Sequence, residues 1–281
     1  MPSLPDMMTP DVEGLAQQEG QGGGHAPAED ANQDAFFEFL LRMGDNALIL
    51  GHRNSEWCGH GPVLEEDIAM SNIALDLIGQ TSLWLGLAGE VEGQGRSADD
   101  LAYLRDAWDF RNLLLLERPN GDFGQTLMRQ FLFDAFHFHQ LQALTRSADP
   151  RVAEIAAKAL KEVSYHLERS AEQVIALGDG TDESHARMQA ALDEQWDYAL
   201  EMFTSDASDA AMAAAGIAPD PANLRGVWDE TVDAVLAQAT LKRPDSSFAH
   251  KGGKQGTHTE HLGYILAEMQ FLQRAYPGAS W

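Results

Sequence analysis

The sequence predicts an all-α protein built around an antiparallel bundle of four long helices. From Asp34 onward, apolar residues recur at helical spacing almost throughout the chain. No stretch alternates apolar and polar residues between turns, as a half-buried strand would. Four of the predicted helices are long and have short connections, and such helices bury their apolar stripes most easily against each other.

Turn-forming residues mark the predicted helix boundaries. Gly59-His60-Gly61-Pro62 separates the first two long helices, Pro119-Asn120-Gly121 precedes the third, and Asp149-Pro150 begins the fourth. The long helices are expected at 34–54, 63–89, 122–146 and 150–177. Additional helices are expected at 98–110, 183–204, 222–240 and 257–275. Thr257 and Glu260 have the spacing of a capping box, which predicts the start of the last of these helices.

The first part of the chain differs in composition from the rest. Residues 1–32 contain no Lys or Arg, several Gly and Pro, and no apolar periodicity. Such a segment cannot bury enough apolar surface to offset the entropy that ordering costs. We therefore expect a flexible acidic tail over residues 1–33 and one helical domain over residues 34–281.

Charge and cysteine content exclude several classes of function. The chain has 44 acidic and 19 basic residues, a formal charge of -25, which repels nucleic acids and anionic lipid headgroups. Cys58 is the only cysteine, so no intramolecular disulfide can form. The sequence shows neither a secretory signal nor an apolar run near the roughly 20 residues that span a bilayer. We expect a cytoplasmic protein that binds neither nucleic acids nor membranes.

A few polar residues interrupt the apolar stripes of the long helices. Asp134 occupies an apolar position of the third long helix. A lone buried carboxylate costs several kcal/mol unless it is paired, protonated or bound to a cation. Candidate partners on the other long helices are Asp45, Asp76, Glu162 and His166. One carboxylate per helix with a histidine is the arrangement from which four-helix proteins build a di-iron site.

The ligand pattern of such a site is incomplete in this chain. A di-iron site of this kind needs Glu-x-x-His on two helices. Three residues before His166 stands Val163, and three residues after Asp76 stands Gly79. We therefore expect a degenerate di-iron pocket whose carboxylates form a structural polar network, with no catalytic residue and no metal ligand. A working metal centre is the alternative.

Basic residues gather only once along the chain, at Lys242, Arg243, Lys251 and Lys254. A solvated basic loop is the simpler interpretation of this cluster. Because the rest of the chain is strongly acidic, the alternative is a contact with an anionic ligand or an acidic partner.

Several long segments resemble one known family. They are GDNALILGHRNSEWCGHGPVLEEDIAMSNIALDLIGQ, LLLLERPNGDFGQTLMRQFLFDA, KEVSYHLERS and GGKQGTHTEHLGYILAEMQFLQRAYPGASW. On these segments the chain is similar to the C subunits of phenylacetyl-coenzyme A epoxidases. The resemblance extends over about residues 34–281, and the tail before Asp34 is the main departure from it.

The resemblance implies a ferritin-like fold and membership of a multicomponent, NADPH-dependent monooxygenase. In that family the C subunit is a scaffold without a cofactor of its own. It pairs with a homologous catalytic subunit that holds the di-iron centre and binds the thioester, and bridging and reductase subunits complete the complex. The assembled enzyme forms the ring 1,2-epoxide of phenylacetyl-coenzyme A during aerobic phenylacetate breakdown.

Two further expectations follow from this resemblance. The contact with the catalytic subunit is expected to involve the faces that carry Trp57, Trp84, His137, Phe138 and His139. The basic loop is expected near the coenzyme A tail or an acidic patch of a partner. The alternatives are a self-standing di-iron oxygenase or iron-binding protein, and a helical interaction module unrelated to oxygenation.

Overall fold

A computed structural model of the protein describes residues 33–279, and the predicted all-α class is confirmed. The α-helices are α1 Gln33–Ser55, α2 Leu64–Glu92, α3 Ala98–Tyr103, α4 Leu114–Glu117, α5 Phe123–Leu144, α6 Pro150–Gly178, α7 Asp182–Ala199, α8 Ala207–Ala214, α9 Arg225–Gln238, α10 Glu260–Met269 and α11 Phe271–Ala275. Over this range of the chain, none of the helices is long and apolar enough to cross a membrane. The predicted tail lies outside the described residues, except for Gln33, the first residue of α1.

The four long helices α1, α2, α5 and α6 form the bundle, with α1 packed on α2 and α5 packed on α6. Two glycines bring α1 close to α2. A Cβ atom at Gly44 would collide with the side chain of Leu85, and one at Gly51 would lie 3.3 Å from that of Leu77. The absence of a side chain at these two positions therefore lets the two helix backbones approach each other.

Helices α5 and α6 begin at the turn residues that predicted their start, and an aspartate caps each of them. The Asp149 carboxylate accepts a hydrogen bond from the Arg151 amide at 2.9 Å, and Pro150 occupies the first turn of α6. The Asp122 carboxylate accepts one from the Gln125 amide at 2.9 Å and caps α5. A side-chain oxygen at this position satisfies an amide that a helix start leaves without an internal partner.

The apolar core continues from the bundle into the later helices. Trp196 of α7 and Trp228 of α9 lie with ring centroids 5.4 Å apart and are almost fully buried. The indole of Trp228 donates a hydrogen bond to the carbonyl of Leu132 at 2.9 Å, so its polar atom is satisfied inside the core. Helices α7 and α9 therefore cover one side of the bundle and pack against α5.

Three sequence expectations for the shorter helices were wrong. The helix expected at 98–110 is α3 followed by a separate 3₁₀ turn at Ala107–Asp109. The helix expected at 257–275 begins at Glu260 and is interrupted between α10 and α11. Its N-terminal cap is Thr259, whose hydroxyl accepts a hydrogen bond from the His261 amide at 3.3 Å, and not Thr257. Thr257 instead closes a turn, because its amide bonds to the Gly252 carbonyl at 2.9 Å.

Candidate functional site

The interior of the bundle contains a polar network that is centred on Asp134 of α5. Its carboxylate accepts a hydrogen bond from the Gln130 side chain at 2.6 Å and one from the Ser170 hydroxyl at 2.9 Å. Asn54 of α1 donates to the Gln130 amide oxygen at 2.8 Å and extends the network to a third helix. Burial raises the pKa of Asp134 to about 7, and the nearby His166 and the two hydrogen bonds offset this only in part.

Two further pairs join α2 to α6 beside this network. His166 donates through Nε2 to Asp76 at 3.0 Å, and Gln80 donates to Glu162 at 2.9 Å. Each pair uses one residue from each helix, and within each helix the two positions are four residues apart. The earlier residue of α2, Asp76, pairs with the later residue of α6, His166, and the reverse holds for Gln80 and Glu162, as expected for antiparallel helices. The polar positions predicted on these two helices are therefore brought together.

His137 of α5 lies near this network but is held as a neutral core residue. Its ring lies 5.0 Å from that of Phe133, and burial lowers its pKa to about 3, with a smaller contribution from His166. Desolvation has this effect because the protonated imidazole loses its hydration. At neutral pH His137 is therefore uncharged.

The structure separates Asp45 from the other predicted pocket residues. Arg105 pairs with its carboxylate through two guanidinium nitrogens, and the Arg111 amide donates to it at 2.8 Å. The Arg105 guanidinium also lies 4.3 Å from the centroid of the Phe110 ring. The prediction that Asp45 faces the same pocket as Asp134 was wrong, because the segment after α3 brings a cation to Asp45 instead.

The donor set of the interior does not fit a di-iron centre. Among residues 33–279, no group of three or more His, Cys, Asp or Glu side chains has a geometry that could hold a metal ion. Val163, at the position where a ligand is needed, is fully buried in the apolar core. Gly79 supplies no side chain at the corresponding position of α2. The carboxylates and His166 are instead directed at one another and at amide and hydroxyl groups of the same chain.

Comparison with known proteins assigns the chain to a family. The family model described as "Phenylacetic acid catabolic protein" matches residues 22–281. The chain is 48% identical over 243 residues to the C subunit of the 1,2-phenylacetyl-CoA epoxidase of Escherichia coli (strain K12), and the match covers 86% of this chain and 98% of that protein. The chain belongs to the phenylacetic acid catabolic protein family. Its fold is ferritin-like, as the resemblance implied.

In this family member, the predicted basic loop is not a cluster of free cations. Lys254 is buried, and its ammonium group donates to the Asp209 carboxylate and to the Thr204 carbonyl. Arg243 bonds to Asp229 at 2.6 Å and to Asp233 at 2.8 Å. The interpretation as one solvated basic loop was therefore wrong for Lys254, which is buried, whereas Arg243 is partly exposed and its charge is paired with two aspartates.

The remaining two cations of that cluster, Lys242 and Lys251, are exposed. Lys254 belongs to a buried ion cluster in which Arg42 of α1 bonds to Asp206 at 2.7 Å and to Asp209 at 3.0 Å. Only Lys242 and Lys251 thus remain available for the predicted contact with an anionic group or an acidic partner.

Three of the five predicted interface residues belong to the core of this family member. Trp84 is 0% exposed, His137 2% and Phe138 7%, so the surface that they could offer a partner is negligible. The reason is that α2 and α5 turn these side chains towards the interior of the bundle. Trp57 donates to the Thr126 hydroxyl at 3.0 Å, and His139 contacts the Thr231 hydroxyl at 2.9 Å. These two residues are half-buried, and their part in an interface stays a prediction.

Sequence reasoning missed two buried glutamates that hold the segment 252–259, which we call the strap. Glu201 accepts hydrogen bonds from the amides of Gly252 and Gly253 with one oxygen and from that of Leu114 with the other, at 2.8–3.0 Å. Glu117 accepts one from the Thr259 amide at 2.6 Å. Burial raises the pKa of Glu201 to about 7.

Glu117 also lies 3.1 Å from Nδ1 of His258, another residue of the strap. The apolar run around α4 could have indicated that Glu117 is buried, since Leu115 and Leu116 precede it directly. Nothing local to Glu201 indicates that it binds a segment some 50 residues away.

Proposed function

We propose that this chain is the non-catalytic, structural subunit of a 1,2-phenylacetyl-CoA epoxidase and pairs with a homologous subunit that holds a di-iron centre. The name and the 48% identity of the Escherichia coli relative support the assignment to the complex. The observation that carries the non-catalytic role is that the candidate ligands are already engaged: Asp76, Asp134, Glu162 and His166 are each hydrogen-bonded to a side chain of the same chain.

The energetics of that network favour a scaffold over a metal-binding protein. A cation that took these carboxylates as ligands would compete with the Gln80 amide for Glu162 and with His166 for Asp76. Each donor left buried and unpaired costs about 1–3 kcal/mol. Asp134 would in addition have to lose a proton in an environment that raises its pKa to about 7. These costs favour the network without a bound cation.

The same network gives the proposed scaffold a rigid surface. Hydrogen bonds between the four long helices fix their register, and the apolar core fills the space between them. A rigid partner loses little conformational entropy on association, which favours assembly with the catalytic, bridging and reductase subunits. In this proposal the chain works in the cytoplasm, where phenylacetyl-coenzyme A is the substrate of the assembled enzyme.

Co-expression tests the proposal. The chain, the catalytic subunit and both together are purified, and each preparation is analysed for iron and for turnover of phenylacetyl-coenzyme A with the reductase. We expect the two proteins to co-purify, iron to be found in the catalytic one, and turnover only in the joint preparation. Two tightly held irons in the isolated chain would favour a self-standing di-iron protein instead. Failure to co-purify would favour an unrelated interaction module.

A further inference from the structure

One face of α2 is not covered by any other part of the described chain. Its residues follow one another at steps of three and four, the spacing of a helix that packs along a second helix. We call this face the α2 seam; its members are Glu65, Ile68, Asn72, Leu75, Gly79, Ser82 and Gly86. Gly86 is partly exposed and the others are exposed, whereas the opposite side of α2 carries core residues such as Ile73 and Trp84.

The α2 seam has large apolar side chains in its first half and empty positions in its second half. Ile68 is 52% exposed and Leu75 is 70% exposed. A Cβ atom added at Gly79 or Gly86 would have no neighbour within 4 Å in the described part of the chain. Beside Gly86, a groove of about 470 Å³ runs between α2 and α6. The first half therefore has projecting side chains and the second half has space to receive side chains.

Two such seams are complementary when one is reversed against the other. If two copies pair antiparallel about a two-fold axis near residue 77, Leu75 faces the partner copy's Gly79 position and Ile68 faces its Gly86 position. Asn72 then faces Ser82. Each large side chain therefore meets a glycine, which is the arrangement that lets two helices pack closely and fill the space between them.

The charges on α6 follow the same symmetry. Asp76 and His166 are 3.0 Å apart, so residue 77 of α2 lies level with about residue 165 of α6. The exposed residues of α6 on this side include Lys158, Lys161, Tyr165, Glu168 and Glu172. In the two-fold arrangement Tyr165 lies next to its own copy at the axis, which places its half-exposed ring in the contact.

The same arrangement sets Lys158 opposite Glu172 and Lys161 opposite Glu168. None of these four side chains has an ion-pair partner among residues 33–279. Opposite charges at matching positions favour one register of association and disfavour others. Glu65 and Glu90 come together at the rim of the contact, where solvent screens their repulsion.

We propose that the α2 seam, together with the adjacent face of α6, is a homodimer interface that binds a second copy of this chain in antiparallel orientation. The complementarity of side-chain size along α2 and that of charge along α6 independently select the same two-fold axis. The proposal concerns the chain by itself and goes beyond the proposed function, which could fail or hold without it.

Sedimentation of the purified chain over a range of concentrations tests the proposal. We expect a reversible dimer, and we expect Gly79→Leu to raise its dissociation constant at least about tenfold, because the new side chain occupies the space of the partner copy's Leu75. Gly226→Leu is the matched control, since Gly226 is also an exposed helical glycine, and an added Cβ there would meet no described residue within 4 Å. Its dimer should be unchanged.

A charge exchange tests the register separately. Lys158→Glu and Glu172→Lys should each weaken the dimer, and the double variant should restore it because the opposite charges face each other again. A chain that remains monomeric, a dimer unaffected by Gly79→Leu, or a double variant without recovery would each overturn the proposal. If the chain is monomeric and Gly79→Leu instead prevents capture of the catalytic subunit, the seam binds that partner and no second copy.

Discussion

Asp45 and Asp134 are both buried carboxylates, and their neighbours give them different roles. Asp45 forms a buried ion pair with Arg105. Among the described residues, Asp134 accepts side-chain hydrogen bonds from Gln130 and Ser170 alone, which are neutral donors. Burial raises the pKa of Asp134 to about 7, because the opposing effects of the nearby His166 and of these two hydrogen bonds are smaller than the loss of hydration. The ionised form of Asp134 is a source of instability in the bundle.

This difference predicts a pH-dependent effect of Asp134→Asn. An unfolded aspartate has a pKa near 3.8, and the folded one has a pKa of about 7. Between these values the folded state retains a proton that the unfolded state has lost, so rising pH destabilises the protein. Asparagine does not titrate. We therefore compare the free energy of unfolding of the variant with that of the unsubstituted protein at each pH. The difference in favour of the variant should be about 2 kcal/mol larger at pH 8 than at pH 5.5.

Urea denaturation at the two pH values measures this gain. Asp193→Asn is the control, because Asp193 lies exposed on α7 and should show no comparable change. If the stability difference between Asp134→Asn and the unsubstituted protein were equal at both pH values, Asp134 would not be protonated in the folded state at the lower pH.

Single residues show how far the candidate site was predictable. Asp134 was identified because it interrupts an apolar stripe, a signal contained in its own helix. The partners of Asp45 and Lys254 were not predictable in the same way. Arg105 lies 60 residues from Asp45, and Asp209 lies 45 residues from Lys254. Those contacts depend on tertiary structure, and spacing along one helix carries no information about them.

At the scale of elements, the corrected start of α10 gives a paired prediction. Thr259→Val should lower the free energy of unfolding by about 1 kcal/mol, because the hydroxyl that accepts the His261 amide is lost while the shape of the side chain is kept. Thr257→Val should leave stability nearly unchanged, since Thr257 is exposed and its hydroxyl has no hydrogen bond within residues 33–279. Thermal denaturation compares the two variants, and the reverse order of stabilities would restore Thr257 as the cap.

The strap gives a second prediction at this scale. Glu201→Gln replaces one carboxylate oxygen with an NH₂ group, which cannot accept the amide of Leu114 or those of Gly252 and Gly253. Hydrogen exchange of the amides that lose their acceptor should become faster, by an amount equivalent to about 1–3 kcal/mol of opening free energy. Glu194→Gln, at an exposed glutamate of α7, is the control. Unchanged protection of all three amides would show that the strap is held by other contacts.

Length decides which elements were predictable. All four long helices were located to within about three residues of their ends, because many apolar positions and a turn define each one. The short helices α4 and α8 were not predicted, since four to eight residues give too little periodicity. Asp206 and Asp209 form the capping box of α8 and were the one local signal of its start.

At the scale of the whole molecule, the excess of acidic residues should destabilise the folded state. The formal charge of -25 concentrates like charges when the chain becomes compact. Raising NaCl from about 20 mM to about 300 mM should therefore raise the melting temperature by about 2–4 °C, because salt screens that repulsion. KCl should have the same effect, which a calorimetric series can compare. A melting temperature that falls with both salts would mean that paired charges outweigh the general repulsion.

The buried ion cluster of Arg42, Asp206, Asp209 and Lys254 has a consequence for protein synthesis. Its members come from α1, from α8 and its N-terminal cap, and from the strap, so the first charge is translated more than 200 residues before the last. Until Lys254 emerges from the ribosome, Arg42 is the one cation of this cluster, and it faces the two carboxylates of Asp206 and Asp209. Burying these three charges without Lys254 would leave an unbalanced negative charge away from water. We therefore expect the bundle to remain open around Arg42 while translation continues, and to close there only after residue 254 has been released.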